Sequence, residues 1–212
     1  MGRGYGKWLA GVAGVALLAV PPAAAAGTTA GAVSPSATAQ QQPAVVPGCE
    51  QGCESVFSVA LPGGTRLEGL QAGTSAYLAY WDGAALRDST QVQGTDGFPY
   101  SQVKGALCLA DRCTVSFGYG AHAGAVAAVR LGSKITVTGK AEGVAADVRD
   151  LNGDNEPDAV VRQSTYEPDF ATGPQYWETY LGHDGHLVLT GCTPPGADEP
   201  AKASVNGCPD MA

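Results

Sequence analysis

A mostly β domain, a compact antiparallel sandwich or barrel with few helices, is the fold class this chain predicts. Three observations carry it. Thirty of the 212 residues are glycine. Short apolar runs alternate with polar residues at the two-residue period of a half-buried strand, and turn-forming pairs recur at short intervals between them. Ser55 to Leu61 is the first such run, and it stops at Pro62-Gly63-Gly64. Ala76 to Trp81 and Ala85 to Val92 flank Asp82-Gly83, a pair suited to the tight turns that match strand twist. Ala106 to Leu109 and Thr114 to Tyr119 flank Asp111-Arg112, which sets Cys108 and Cys113 across the turn from each other. Ala125 to Leu131 and Ile135 to Thr138 are divided by Gly132-Ser133. Alanines between Ala121 and Arg130 also permit a helix, but Gly120, Gly124 and the Val-Ala alternation favour a strand. Val144 to Val148, Ala159 to Arg162, Tyr176 to Leu181 and Leu187 to Thr190 complete the set, the last two separated by Gly182 to His186. No full-length repeat is visible.

The termini read differently. Arg3 and Lys7 precede an apolar run from Trp8 to Val20, too short to cross a membrane, broken by Pro21-Pro22 and followed by Ala23 to Ala26. That is the pattern of a signal peptide cut after Ala26, so residues 1–26 are expected to be removed and the rest secreted as an extracellular protein; an uncleaved anchor is the alternative. Residues 27–48 are uncharged until the first cysteine and rich in Ala, Thr, Ser, Gln and Pro, the composition of a disordered linker. The folded domain is expected over 54–192, with 193–212 a tail tied back by Cys208.

Charge and cysteines narrow the partners. The chain carries 12 Lys and Arg against 20 Asp and Glu, a formal net charge of −8, and losing Arg3 and Lys7 would make it more acidic still. Such a chain repels nucleic acid and anionic lipid, and no later segment is long and apolar enough for a membrane span. The six cysteines, Cys49, Cys53, Cys108, Cys113, Cys192 and Cys208, all follow the expected cleavage point, and an even number in an oxidising compartment implies disulfides. Their spacing alone leaves the connectivity open. The hairpin makes Cys108–Cys113 the most secure pair, and Cys49–Cys53 and Cys192–Cys208 follow as neighbours. Zinc is the competing reading, but the gaps contain no paired C-x-x-C.

One stretch concentrates hard oxygen donors. In Asp150-Leu151-Asn152-Gly153-Asp154-Asn155-Glu156-Pro157-Asp158, oxygen-bearing side chains stand at the first, third, fifth and ninth positions and a backbone carbonyl at the seventh. That spacing in a tight loop converges oxygens on one point, which suits calcium. Three carboxylates held together without a cation would repel one another. The loop joins two strands, and Val161 stands where an EF-hand needs its bidentate acid, so it is not an EF-hand.

Asp-Leu-Asn-Gly-Asp-x-x-x-Asp followed by a short apolar strand resembles the calcium loop of integrin-type FG-GAP and VCBS repeats. The resemblance implies a loop connecting strands of a blade-like sheet, with a bracing cation that does no chemistry. It implies Asp150, Asn152, Asp154 and Asp158 as side-chain ligands and Glu156 as a ligand through its backbone carbonyl. It covers about a dozen residues strongly. The family usually has glycine where this chain has Asn155, and asparagine is the next residue to tolerate a left-handed backbone. A propeller needs roughly four blades or more, so a single loop in this length implies an isolated unit.

Other candidates are sparser. His183 and His186 around Asp184-Gly185 fit an exposed hairpin better than a metal pair. His122 lies in a small-residue stretch where a base can approach a substrate, though no Gly-x-Ser-x-Gly nucleophile motif accompanies it. Glu167 and Asp169 straddle Pro168, and paired carboxylates serve glycoside hydrolysis, but neighbours in one loop rarely take opposite sides of a sugar; a loop packed by Tyr166 and Phe170 is the simpler reading. On a strand, Tyr176, Glu178 and Tyr180 share one face and Trp177, Thr179 and Leu181 the other. If Trp177 fills the core, the tyrosine face becomes an exposed platform; ordinary sheet packing is the simpler alternative. Two function classes follow: a secreted, non-catalytic module that binds an extracellular protein or carbohydrate, or a small secreted hydrolase using His122 or the Glu167/Asp169 loop. A protease inhibitor is a third class, but the Cys108–Cys113 hairpin is too tight to enter a protease cleft.

Overall fold

A computed structural model describes residues 45–120, 123–170, 172–200 and Cys208. The expected signal peptide, the linker up to residue 44 and His122 lie outside the described residues. The rest is mostly β and antiparallel, as the sequence predicts. Twelve strands run in order: β1 (Glu54–Ala60), β2 (Thr65–Ala72), β3 (Ser75–Asp82), β4 (Ala85–Thr90), β5 (Gln102–Leu109), β6 (Arg112–Tyr119), β7 (Ala123–Leu131), β8 (Ile135–Gly143), β9 (Ala145–Arg149), β10 (Asp158–Ser164), β11 (Gln175–His183) and β12 (His186–Cys192). They form three four-stranded sheets, β1-β2-β3-β4, β5-β6-β7-β8 and β9-β10-β11-β12, each a meander of consecutive strands. This is a repeat of topology that no repeat of sequence announces.

The sheets stack like a sandwich with an extra layer, and side-chain parity shows how. In the middle sheet, Cys113, Val115 and Phe117 of β6 and Ala125, Ala127 and Val129 of β7 meet Leu67, Leu78 and Tyr80 of the first sheet. Val126 and Ala141 on the opposite face meet Ala159 and Val161 of the third. The middle sheet is therefore covered on both sides, and β6 is buried without interruption from Cys113 to Gly118. That is why its strands read as continuous small and apolar runs rather than as a clean alternation.

The layers approach closely where side chains are smallest. A Cβ on Gly124 of β7 would lie 2.5 Å from the backbone nitrogen of Ala146 in β9. Within the first sheet, Phe57 of β1 pairs with Gly69 of β2 and lays its ring over the bare backbone, where any Cβ would collide with it. The outer face of the first sheet is also covered. Val46 is only 5% exposed and packs with Leu70, Ala79 and Trp81, beside Cys49 and Cys53. Among the described residues, Val46 thus packs although it lies inside the stretch whose composition reads as linker.

Three disulfides are present, Cys49–Cys53, Cys108–Cys113 and Cys192–Cys208, the pairs the sequence ranks first. Register shifts interrupt the β1–β2, β3–β4, β5–β6, β7–β8 and β11–β12 pairings. The pairings between central strands, β2–β3, β6–β7 and β10–β11, are regular, and so is β9–β10.

Glu142, near the end of β8, anchors the long 91–101 connection. It accepts hydrogen bonds from the Thr95 backbone nitrogen (2.8 Å), the Thr95 hydroxyl (2.7 Å) and the Tyr100 hydroxyl (2.8 Å). Burial alone would raise its pKa, but these donors and the nearby Lys140 charge outweigh it and hold the carboxyl below the ordinary glutamate value.

Candidate functional site

The acidic loop leaves β9 at Arg149 and enters β10 at Asp158, a hairpin whose first closing pair is Asp158 with Arg149. Its turn depends on left-handed backbone at Gly153 (φ 83°) and Asn155 (φ 65°). Asn155 therefore adopts the conformation for which the resembled family uses glycine. Side-chain oxygens organise the loop from within. Asp150 accepts from the backbone nitrogens of Gly153 (2.7 Å) and Asn155 (3.3 Å). Asn152 accepts from Asp154 (3.0 Å), and Asp154 accepts from Glu156 (2.7 Å). The Asn152 amide also donates to the Asp154 carboxylate at 2.8 Å.

Asp158 is the fixed point beneath this loop. It is fully buried, and its two oxygens accept from the Leu151 and Gly182 backbone nitrogens, each at 2.7 Å. Burial raises its pKa; the two amides oppose that, and the charges of Asp154 and Asp150 add to it. Asp158 thus feels both other carboxylates of the loop.

Three residues outside the loop seat it. The buried Thr114 hydroxyl of β6 donates to the Pro157 carbonyl at 2.9 Å. Arg112, at the start of the same strand, pairs with the Glu156 carboxylate at 2.7 Å. Gly182 of β11 leaves room for the loop, because a Cβ there would lie 2.7 Å from the Pro157 oxygen. Arg112 and Arg130 are cross-strand partners, and Asp184 in the β11–β12 turn lies 3.6 Å from the first and 2.9 Å from the second. Sequence reasoning missed Thr114, Arg112 and Gly182. No local signal marks them, since each meets the loop only through the stacking of sheets or the pairing of β10 with β11.

The donor set is hard oxygen throughout: three carboxylates, one amide and a backbone carbonyl. Among the described residues no group of three His, Cys, Asp or Glu side chains stands ready-made around a metal position. The oxygens of Asp150, Asn152 and Asp154 face the loop's own amides instead. An oxygen that accepts one N–H keeps a second lone pair, so the same side chains can serve a cation without surrendering the turn.

The remaining candidates separate. His183 and His186 close the β11–β12 hairpin as partners, and His186 Nδ1 lies 3.1 Å from the Thr138 carbonyl. The Asp169 carboxylate caps its own loop through the Thr172 nitrogen at 2.9 Å. Tyr166 and Phe170 pack with ring centroids 5.3 Å apart, as the simpler reading of that loop expects. Tyr176 and Glu178 are buried and Tyr180 packs between the middle and third sheets. The tyrosine face is therefore interior packing and no platform. There Glu178 accepts from Gln163 (2.9 Å) and from Tyr180 (2.8 Å). Trp177 faces the other way, with the Arg162 guanidinium 5.8 Å from its ring centroid.

Fold and site together define a disulfide-pinned protein of three stacked β meanders with an acidic loop seated between the second and third. No protein-family model matches the chain, and no curated protein matches it. Among the described residues no helix is long and apolar enough to cross a membrane.

Proposed function

We propose that this is an exported, non-catalytic module in which calcium at Asp150, Asn152, Asp154, the Glu156 carbonyl and Asp158 braces the fold, and that the module binds an extracellular protein or carbohydrate. The observation that carries the reading is the seated loop: Asp150 and Asp154 bear electrostatically on a buried Asp158 at the base of a turn held from two sheets. Calcium would supply the charge that the three acids lack. The disulfides support an oxidising location, and the N-terminal pattern of basic residues, apolar run and alanines supports export. The 165–174 loop, at the far end of β10 from the acidic loop, presents Tyr166 at 55% exposure, and the 91–101 connection presents Phe98 at 67%. Exposed aromatics on connecting loops offer large contact area at low entropic cost, the chemistry of sugar and protein recognition.

Melting in calcium and in chelator tests the first half. Free calcium at about a hundredfold excess over Kd stabilises a folded state by about 2.7 kcal/mol, or roughly 5–10 °C in a chain of this size. Asp154→Ala should remove that difference while leaving a β-type circular dichroism spectrum. Identical melting of the native chain under both conditions would reduce the loop to an acidic turn. Capture of extracellular proteins or cell-surface glycans, lost on Phe98→Ser with Tyr166→Ser, tests the second half.

A further inference from the structure

We propose that one end of the seam between the first and middle sheets is a binding pocket for a small organic cation, an ammonium group carried on an apolar body. A cavity of about 290 Å³ lies there, just below the range of about 300–1,000 Å³ usual for ligand sites, so it has room for a small molecule only. Two of its lining residues are core. Tyr80 of β3 and Leu131 of β7 are 7% and 4% exposed and belong to the cluster that packs the two sheets together. Leu61 and Pro62, between β1 and β2, line one side, and Ala110 and Asp111, between β5 and β6, line another. The acidic loop seats on the opposite face of the middle sheet, through Thr114, so this pocket needs no calcium.

Both turns are fixed by their own bonds. The Leu61 nitrogen donates to the Thr65 carbonyl at 2.9 Å, and the Thr65 hydroxyl donates to the Pro62 carbonyl at 3.1 Å. The other turn is closed by Cys108–Cys113 and tied to β7, where the Leu131 nitrogen donates to the Asp111 carbonyl at 2.8 Å. Ala110 stands in that turn with φ 54°, a left-handed backbone that glycine adopts at less cost, yet the position carries a methyl group. Polar groups decide what enters. The Tyr80 hydroxyl and the Asp111 carboxylate have no hydrogen-bond partner among the described residues, and Asp111 is exposed and joins none of their ion pairs. Among the described residues no basic side chain lines the cavity. Arg87, which feels the Tyr80 hydroxyl, is already paired with Asp82. A carboxylate without a counter-charge at an apolar pocket complements an ammonium on an apolar body, and the net charge of −8 draws cations toward it. An anion would be repelled, and a neutral body would leave the carboxylate partly desolvated and unpaired.

The test titrates the whole chain with 2-phenylethylammonium, and with 2-phenylethanol as its uncharged match, and follows amide resonances by NMR. The ammonium should shift the amides of residues 61–65 and 110–111 and bind more tightly than the alcohol. Asp111→Asn should weaken the ammonium about fivefold, the upper end for a partly exposed ion pair, and leave the alcohol unchanged. Ala110→Gly should weaken both probes about threefold through the lost methyl contact without lowering the melting temperature, which separates a lost wall from a damaged fold. Equal binding of the ammonium by the native chain and Asp111→Asn, or equal binding of the two probes by the native chain, would overturn the cation. Shifts absent from these two turns, or spread over exposed acids elsewhere such as Asp147, would overturn the site.

Discussion

Single residues in this protein are constrained mostly by what stands on another strand. Gly69 is bare because the Phe57 ring occupies the place of its side chain. Gly69→Ala should therefore destabilise by about 1–3 kcal/mol, the usual cost of overpacking, measurable by urea denaturation; an unchanged midpoint would show that the ring moves freely. Glu142 offers a pH-dependent check. Its pKa is depressed in the folded chain, so its contribution is complete above the unfolded glutamate value, about 4.3, and is lost as pH falls through the lower folded value. The native chain should be more stable than Glu142→Gln at neutral pH, and the gap should close below about pH 4. A gap independent of pH would assign the effect to packing. The loop acids were legible from spacing alone because the turn they organise is local; Thr114, 43 residues from its partner, was not.

At the scale of elements, turn chemistry made most strands legible and one strand invisible. Asp184-Gly185 form the expected turn, while β3 runs through Asp82 and β6 begins at Arg112, so the other two turns fall one residue away, at Gly83-Ala84 and Ala110-Asp111. β2 escaped because Gly69 stands at a buried position where the strand pattern calls for an apolar side chain, and Arg66 and Glu68 dominate the rest of the run. The β5–β6 hairpin is pinned by Cys108–Cys113, directly opposed across the pair. Replacing both by serine should cost about 2 kcal/mol on the chain-entropy account of so short a loop, and peptide mapping without reductant should recover the two cysteines joined. The contact of β7 with β9 is stricter than that of Phe57 with Gly69, because the atom facing Gly124 is backbone at 2.5 Å. Gly124→Ala should reach the upper end of the about 1–3 kcal/mol overpacking range, with faster amide exchange concentrated in β9 to β12.

For the whole molecule, the sequence made the class legible but not the threefold recurrence of meanders, and burial explains why. The middle sheet is covered on both faces, the first is covered on its outer side by Val46 and the Cys49–Cys53 loop, and the third carries the acidic hairpin. Equivalent positions thus meet unlike surroundings and take unlike residues. Val46→Asp would place a charge against Leu70, Ala79 and Trp81 and should cost roughly 3–5 kcal/mol, the range for an unpaired buried charge; native-like melting would show that residues 45–53 are dispensable. Three open sheets also leave more strand edges than a closed barrel of similar length, and an unpaired edge invites another chain to add itself as a strand. The register shifts answer that hazard. They interrupt the edge pairings of β1, β4, β5, β8 and β12 and spare every central pairing. Bulges bend and over-twist the strand that carries them, so these edges make poor templates. β9 alone keeps a regular edge pairing, and it presents exposed Asp147 and Arg149, charges that a flat incoming strand would have to desolvate. The irregularities of this fold thus fall on the edges where an open β stack would otherwise accept another chain as a strand.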